Sequence, residues 1–485
     1  MGDTPPADNA LTDRLLRSWL RGRRKAWLDR HGDSAERLWN PHRALQLADR
    51  ERRLQQCINQ PIERCTGLGA LQRGEPAVRL LLLRRDGICG RPTLLLRKPQ
   101  PSQLGNFSYQ PALLQPGRHG TREHRLTLAL WGWLLEPVQG TAASQGWLLN
   151  PRGQRERLSL HSGLNRQMQT ALTRLQQDLK RRNPPPLTHD RRKCTLCSWR
   201  RSCDGVAEAQ GELSTVSGIG GKRQELLQEL GIADRQALAD APSDWLMQQL
   251  DERGIQQPEL AIELIAQAKV QQHGIAEPLQ AGNPDPLPEL SDAPGVLLYD
   301  IESDPDARDD FLHGFLPLSR GADGRFEAAG SAPYRPILAL REHGEDRLWL
   351  RLQRLLAAHP GWPVLHYGET EAIALKRMAE RQNSEPPQGL VDLHQRVRQH
   401  WRLPVDSYGL KAVASWRGFR WSQPTAEGAR CVLWWRQWRA RRQRNQLDQI
   451  LRYNRDDCLA TWAVAQWLSN AAASGSDNSS PASSD

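Results

Sequence analysis

The chain has 485 residues, and its 66 Lys and Arg against 55 Asp and Glu give a formal net charge of +11. Its mean hydropathy of −0.66, without any apolar run near the ~20 residues of a membrane span, predicts that it is not a membrane protein. The N-terminus is polar and then basic, unlike a secretory signal, and eight cysteines are too sparse for a disulfide scaffold. We therefore expect about two to four domains in a reducing cytoplasm.

The basic residues are unevenly divided between the two types. Eight are Lys and 58 are Arg, and the chain also contains 18 Trp. Because the guanidinium fork suits phosphate and stacks on aromatic rings, this composition fits a polyanion partner such as nucleic acid. A GC-rich genome would enrich the same two residue types without any function, so both explanations stay open.

Clusters of Pro, Gly and polar residues divide the chain into regions of a multidomain α/β protein. Residues 183–186 close an N-terminal region, and five prolines between 274 and 294 predict an extended linker. The final segment is rich in Ser, Ala and Asn and is expected to be disordered. The predicted regions are 1–190, 191–273 with the cysteines and short helices, the linker 274–294, a C-terminal domain at 295–468 and a tail at 469–485.

Acidic residues follow two predicted strands of the C-terminal domain. Asp300 and Glu302 end an apolar run, and on a strand residues i and i+2 project from one face. Two carboxylates held together repel unless a cation lies between them, and oxygen ligands suit Mg²⁺ or Mn²⁺. A second strand, 363–366, precedes a helix with Glu369 and Glu371 in its first turn, where acidic residues also simply stabilise the helix.

The third element is an amphipathic helix predicted over residues 447–462. Tyr453 and Asp457 lie four residues apart and therefore on one face. A tyrosine one turn before an aspartate is suited to orient a water molecule that attacks a phosphorus atom.

In this order, the three elements resemble the exonuclease motifs of ribonuclease H-like DEDD 3′–5′ exonucleases. More closely, "HYGETEAIALKRMA", "VDLHQRVRQHWRLPVDSYGLKAVA" and "YNRDDCLATWAVAQWL" are similar to the YprB-type ribonuclease H-like domain of RecB-like nucleases, over roughly 295–468. The resemblance implies a mixed sheet flanked by helices. It also implies that the metal carboxylates are Asp300, Glu302 and Asp457, that the water-orienting residue is Tyr453 and that a nucleic-acid contact is Lys411.

The second motif departs from the family pattern. Glu371 stands at the place of an aspartate, and Thr370 precedes it where an aromatic residue is expected. The additional methylene of Glu371 displaces its carboxylate by about one bond length, and a ~1 Å misplacement costs much of a reaction rate. Glu371 is nevertheless predicted to complete the catalytic set.

A cysteine cluster precedes the middle of the chain. Cys194, Cys197 and Cys203 have the spacing of metal ligands and need a fourth partner for a [4Fe–4S] cluster or for zinc. In the RecB-like family a distant upstream cysteine supplies it, but the matching segment here carries Gly22. Cys57, Cys65 and His189 remain candidates. We favour iron–sulfur over zinc or no metal.

Residues 213–231 resemble a helix-hairpin-helix. The two glycines of its turn would expose backbone N–H groups to a phosphate at a helix N-terminus, beside two cations. An ordinary pair of helices joined by glycines has the same pattern. The position after the cysteines in a basic chain favours nucleic-acid binding by Gly218, Gly220, Lys222 and Arg223.

The N-terminal region resembles a restriction-endonuclease-like PD-(D/E)XK fold over about residues 10–140. Segments 89–97, 107–112 and 124–135 follow its order of two strands and a helix. Cleavage there requires an aspartate, a second carboxylate and a lysine. Thr93 occupies the aspartate position, and residues 112–115 contain neither an acid nor a lysine. The region is therefore predicted to have a binding or structural role and not to cleave nucleic acid.

Two functions follow from these observations. The leading one is a metal-dependent exonuclease acting on single-stranded nucleic acid, with DNA favoured over RNA and a helicase partner left open. The alternative is a non-catalytic nucleic-acid-binding or partner-docking protein that has lost its active sites.

The Trp-rich and Arg-rich segment 434–444 either stacks on single strands or buries its tryptophans in a core.

Overall fold

The computed structural model describes residues 10–58, 62–115, 119–150, 154–280, 284–305, 309–340 and 344–474. The chain forms two compact units, Met1–Val206 and Ala207–Asp485, so the cysteine cluster belongs to the first unit and the predicted hairpin to the second. Helices and mixed sheets occur in both units, which confirms the α/β class. Every helix in the described residues is too short or too polar to cross a membrane.

The first unit alternates short strands with longer helices. Its helices are α1 (Asp13–Arg21), α2 (Arg23–His31), α3 (Pro41–Cys57), α4 (Gly67–Gln72), α5 (Arg122–Gln139), α6 (Ser162–Leu179) and α7 (Arg200–Ala209), which crosses the boundary. Its strands are β1 (Leu11–Thr12), β2 (Ala77–Val78), β3 (Leu83–Arg85), β4 (Ile88–Gly90), β5 (Leu94–Lys98), β6 (Ser108–Leu114), β7 (Gln145–Leu149) and β8 (Arg155–Ser159). They form sheets of order β2-β5-β6-β7-β8 and β1-β4-β3.

Helix α5 is the centre of the first unit. It connects the parallel strands β6 and β7, and its apolar residues are buried around most of its circumference. Thr121 caps it, in a reciprocal arrangement with His124. The order β5, β6, α5 agrees with the order predicted from segments 89–97, 107–112 and 124–135.

The second unit begins with helices and continues into a sheet domain. Its helices are α8 (Gly221–Glu229), α9 (Arg235–Ala239), α10 (Ser243–Asp251), α11 (Pro258–His273), α12 (Glu345–Ala357), α13 (Glu369–Arg381), α14 (Leu393–His400), α15 (Leu410–Trp416), α16 (Gly428–Arg441) and α17 (Arg444–Ser474). Its strands are β9 (Glu277–Pro278), β10 (Gly295–Asp304), β11 (Asp309–Ser319), β12 (Arg335–Leu338), β13 (Val364–His366), β14 (Leu390–Asp392) and β15 (Trp401–Arg402).

The C-terminal sheet has the order β12-β11-β10-β13-β14. Strand β10 pairs antiparallel with β11 and parallel with β13, so the sheet is mixed. Tyr299 packs into a core with α12 and α13, whereas Leu298 packs into a core with α14, α15 and α17. Because side chains alternate along a strand, Asp300 and Glu302 project from the same face as Leu298.

The proline-rich stretch 274–294 differs from the extended linker that its composition predicts. In its described part β9 pairs with β15, and Leu287 and Leu290 are buried in the core of the C-terminal domain. These apolar side chains gain more by burial than the prolines lose by lacking an N–H donor. The predicted tail also begins later, because α17 continues to Ser474 through three alanines, the best helix formers. Residues 475–485 lie outside the described part.

Candidate metal site in the C-terminal domain

Three predicted carboxylates meet in the C-terminal domain. Asp300 and Glu302 of β10 and Asp457 of α17 place ligand oxygens within 4.8 Å of one another. Helix α17 packs directly across β10, which brings the third residue to the first two. The pairing of β10 with β11 is irregular between Glu302 and Ser303, a distortion frequent beside functional sites.

A polar chain orients the carboxylate of Asp300. The Asn454 side-chain amide donates to Asp300 Oδ2 at 2.6 Å, and the Tyr334 hydroxyl donates to Asn454 Oδ1 at 2.6 Å. Gly314, opposite Asp300 on β11, makes room for Asn454, since a Cβ there would lie 1.7 Å from Asn454 Oδ1. The sheet therefore requires glycine at this position for the Asp300 carboxylate to be held.

The other two carboxylates have donors of their own. The Trp421 indole donates to Asp457 Oδ1 at 2.7 Å, and the Tyr453 hydroxyl also hydrogen-bonds Asp457. The thiol of Cys431 hydrogen-bonds Glu302. The Tyr453 side chain is thus at the carboxylates, as predicted.

Lys411 also lies at this site. It is half-buried, its ammonium donates to the Ala426 carbonyl, and it lies 5.1 Å from the centroid of the Tyr453 ring. Its charge lowers the pKa of Glu302 and of Asp457. Lys411 therefore belongs to the carboxylate site.

Burial and mutual repulsion dominate the electrostatics. Burial raises the pKa of Asp300 and of Glu302 well above the ordinary values, and the charge of Asp457 raises both further. Burial also raises the pKa of Asp457 to about 6, although the Trp421 hydrogen bond and Lys411 lower it. A cation would relieve this repulsion, which is the environment expected of ligands for a hard divalent ion.

Glu371 is buried in the first turn of α13, as predicted, but lies outside the group of three. Its Oε2 is buried without a hydrogen-bond partner, 3.9 Å from Nδ1 of His366. That Nδ1 faces the Gly368 carbonyl at 2.7 Å, so it carries the proton and donates there. Burial raises the pKa of Glu371 to about 8, with Asp392 and Asp457 adding to the effect.

The position of Glu371 differs from the single four-carboxylate cluster that the motifs predict. Its helix, α13, packs on the opposite face of the sheet from α17, so it approaches the site around the ends of the strands. Its charge still raises the pKa of Asp300 and Glu302, which places it near them. Glu371 is therefore a neighbour of the group with an unpartnered oxygen.

The predicted hairpin lies between a 3₁₀ turn, Leu213–Thr215, and α8. Gly218 has a φ of 89°, Gly220 is the N-cap of α8, and Lys222 is exposed in the first helical turn. Arg223 instead donates to the Gly218 carbonyl at 2.6 Å and closes the turn. Gly218 has the positive φ that the predicted turn allows, and Arg223 is exposed with its guanidinium bound to that turn. Nucleic-acid binding by these residues stays a prediction.

The three clustered cysteines do not form a compact ligand group. In the described part of the chain, the carboxylate group above is the only set of three candidate ligand atoms within 4.8 Å of one another. Two sulfurs bound to one zinc at about 2.3 Å lie at most about 4.6 Å apart, so Cys194, Cys197 and Cys203 are not arranged as a zinc site. Cys203 instead hydrogen-bonds Arg24 of α2, close in sequence to Gly22. The side chain of Cys57 lies outside the described residues.

The aromatic segment of α16 belongs to a core. Trp435 and Trp438 are buried and stack at 4.9 Å between ring centroids, and Trp435 also stacks on Phe311. Arg436 forms two hydrogen bonds with the buried Asp304. Of the two explanations for the segment, core packing is correct for these two tryptophans.

Sequence patterns did not identify five residues that support the site: Asn454, Trp421, Gly314, Tyr334 and Cys431. Asn454 is three residues before Asp457 on a helix and therefore shares its face, a signal that the motif already contained. Trp421 and Gly314 come from a loop and from the neighbouring strand. Their proximity depends on tertiary structure, and no local pattern reveals it.

Residues 297–469 match a family model of the RNase H superfamily. A search of the curated proteins finds no significant match to the chain. The matched range contains the mixed sheet, the three carboxylates and α13. The C-terminal part of the chain is therefore an RNase H-like domain, a nuclease-like fold of a superfamily that typically uses divalent metals.

Proposed function

We propose that the chain is a metal-dependent nuclease, a 3′–5′ exonuclease that acts on single-stranded nucleic acid through its C-terminal domain. The observation that carries the proposal is the buried group Asp300, Glu302 and Asp457, whose oxygens lie within 4.8 Å of one another. The superfamily match supports the nuclease class. The resemblance of the three motifs to those of DEDD 3′–5′ exonucleases supports the polarity.

The residues present fit Mg²⁺ or Mn²⁺. All three ligands offer carboxylate oxygens, their pKa values are raised by burial and repulsion, and Glu371 adds a buried oxygen without a partner. Asp300, Glu302 and Asp457 would hold the metal, and the charge of Glu371 acts on Asp300 and Glu302 from outside this group. When bound, such an ion activates water and stabilises charge on a phosphate.

The remaining residues have roles that the chain itself performs. Asn454 fixes the rotamer of Asp300, and Trp421 fixes that of Asp457. Burial raises the pKa of Tyr453, so its hydroxyl keeps its proton and can hydrogen-bond a water molecule beside Asp457. Lys411 offers positive charge to the phosphate that is cut.

The test uses a 5′-labelled single-stranded DNA and a matching RNA, each incubated with purified full-length protein with and without Mn²⁺. We expect a ladder that shortens from the 3′ end only when Mn²⁺ is present, with no ladder from Asp300→Asn protein. The exposed Asp406→Asn provides the matched control and should cut normally. Binding without any cleavage by the unmodified protein would favour the non-catalytic alternative.

The cysteine site is a separate proposal. We propose an iron–sulfur cluster rather than zinc there, because a cluster of four irons holds its thiolates farther apart than a single ion does. Anaerobically purified protein should then be brown, and Cys194→Ser should remove the colour. Colourless protein with one equivalent of zinc would contradict this assignment.

A further inference from the structure

A cavity of about 360 Å³ lies within the first unit, beside the position where the N-terminal resemblance places a catalytic aspartate. Thr93, which stands there, lines the cavity together with nine basic and two acidic side chains. The basic residues come from α1, α2, α3 and the adjoining loops. A metal site would gather acids, so the charge of this cavity is the reverse of that needed for cleavage.

Internal ion pairs neutralise only part of this charge. Glu123 binds Arg17 and Arg21, and Glu51 binds Arg79 through two hydrogen bonds. Asp29, the acid of a further pair, binds Lys25 at 2.6 Å. These acids leave several guanidinium groups of the cavity without an acidic partner.

Arg14, Arg43, Arg50 and Arg91 form no ion pair with any residue that the structure describes. The Nε atoms of Arg50 and of Arg79 are also buried without a hydrogen-bond partner, and the Arg79 residue is only 8% exposed. Burial lowers the pKa of Arg50, and the charge of Arg17 lowers it further. Cations that repel one another inside a cavity favour the binding of an anion with several charges.

We propose that this cavity binds the phosphates of a single-stranded nucleic acid without regard to sequence. Its volume is near the lower end of ligand pockets, ~300–1000 Å³, and therefore fits one or two nucleotides and not a duplex. Trp131 is the one aromatic residue among its lining residues, and it is 1% exposed, so the cavity offers no surface on which a base could stack. The choice of a strand over a free polyphosphate rests on the proposed nuclease function.

The experiment measures binding of fluorescein-labelled dT20 to full-length Asp300→Asn protein in EDTA, by anisotropy, across a series of NaCl concentrations. We expect Arg43→Gln/Arg50→Gln to weaken binding about tenfold or more and to reduce the salt slope by ~0.7 for each phosphate that the variant no longer neutralises. Arg166→Gln/Arg174→Gln removes the same charge from exposed positions on α6 and should change binding less than twofold.

A second variant distinguishes lost binding from misfolding. Thr93→Asp adds one negative charge to the wall of the cavity at a half-buried residue and should also weaken binding, with an unchanged melting temperature. Equal losses in the cavity variant and the α6 control, or unchanged binding in both cavity variants, would overturn the proposal. Saturable binding of inorganic tripolyphosphate that dT20 cannot displace would overturn the assignment to a strand.

This test is independent of the nuclease proposal. Binding is measured without metal and in protein whose carboxylate group is already altered. Unchanged dT20 binding in the cavity variants, with normal cleavage by the unmodified protein, would refute the cavity alone. Absent cleavage by the unmodified protein, with dT20 binding that the cavity variants weaken, would refute the nuclease alone.

Discussion

The C-terminal domain and the first unit accumulate opposite charges. Asp300, Glu302 and Asp457 are buried together in the C-terminal domain, whereas nine basic side chains surround the cavity of the first unit. In both places like charges raise the free energy of the unliganded protein, and a ligand of opposite charge relieves it. The comparison teaches that an arrangement of strands and helices does not by itself define the chemistry of a site, because the charges gathered there do.

The largest expected effect is a variant that loses cleavage of nucleic acid and keeps its affinity for it. Asp300→Asn should reduce cleavage by at least about 10²-fold, because one of three metal carboxylates is lost. Affinity for dT20 should change less than twofold, since phosphate contacts elsewhere supply most of it. Single-turnover cleavage and anisotropy on the same protein measure both, and a parallel loss of affinity would contradict the separation.

Substitutions of Glu371 test how far the acidic site extends beyond the three carboxylates. Glu371→Gln should lower cleavage about 10–100-fold, the loss typical of a group that supports a metal ligand. Glu371→Asp should preserve or raise activity, because the exonuclease motifs that this segment resembles carry aspartate at this position. The exposed Glu369→Gln in the same helical turn is the control. Unchanged activity in Glu371→Gln would restrict the site to three carboxylates.

Loss of the residues that position Asp300 should lower cleavage by a similar or smaller factor. Asn454→Ala removes its donor, and Gly314→Ala displaces Asn454 sterically, so each should lower cleavage about tenfold. Higher Mn²⁺ concentration should restore much of the rate, because metal affinity and not chemistry is affected. Gly330→Ala, with open space around the new Cβ, should behave as the unmodified protein does. Failure of Mn²⁺ rescue would indicate a structural defect.

The smallest effect is on stability and depends on pH. The pKa of Glu371 is raised to about 8 and that of Asp457 to about 6, so the folded metal-free protein binds more protons than the unfolded chain between about pH 4 and 8. Its free energy of unfolding therefore falls as pH rises through this window. Asp457→Asn removes a carboxylate that is ionised at pH 8 and should raise the melting temperature by about 2–4 °C there.

That difference should vanish near pH 4, where the carboxylates of the folded protein are protonated, and it should reverse at pH 8 in saturating Mg²⁺, which stabilises the unmodified protein more than the variant. Thermal denaturation with and without EDTA measures it. A difference that is the same at pH 4 and pH 8 would contradict the repulsion.

Local patterns predicted the elements that carry the acidic residues. Strand β10, the β13–α13 turn and the helix around Tyr453 and Asp457 follow from alternation and helical spacing. The position of Glu371 and the packing of Asn454 against Gly314 could not be predicted from these patterns. Both depend on which faces of the sheet α13 and α17 pack against. Similarly, 58 arginines fit either a polyanion partner or a GC-rich genome, and only tertiary structure brings Arg43 and Arg50 into one cavity.

The most direct test of the central claim is a calorimetric titration of Mn²⁺ into full-length protein at pH 7.5. We expect saturable Mn²⁺ binding that Asp300→Asn abolishes or weakens at least about tenfold. The Mn²⁺ affinity of Arg43→Gln/Arg50→Gln should equal that of the unmodified protein. Equal Mn²⁺ affinity in the unmodified and Asp300→Asn proteins would contradict the assignment of the metal to these carboxylates.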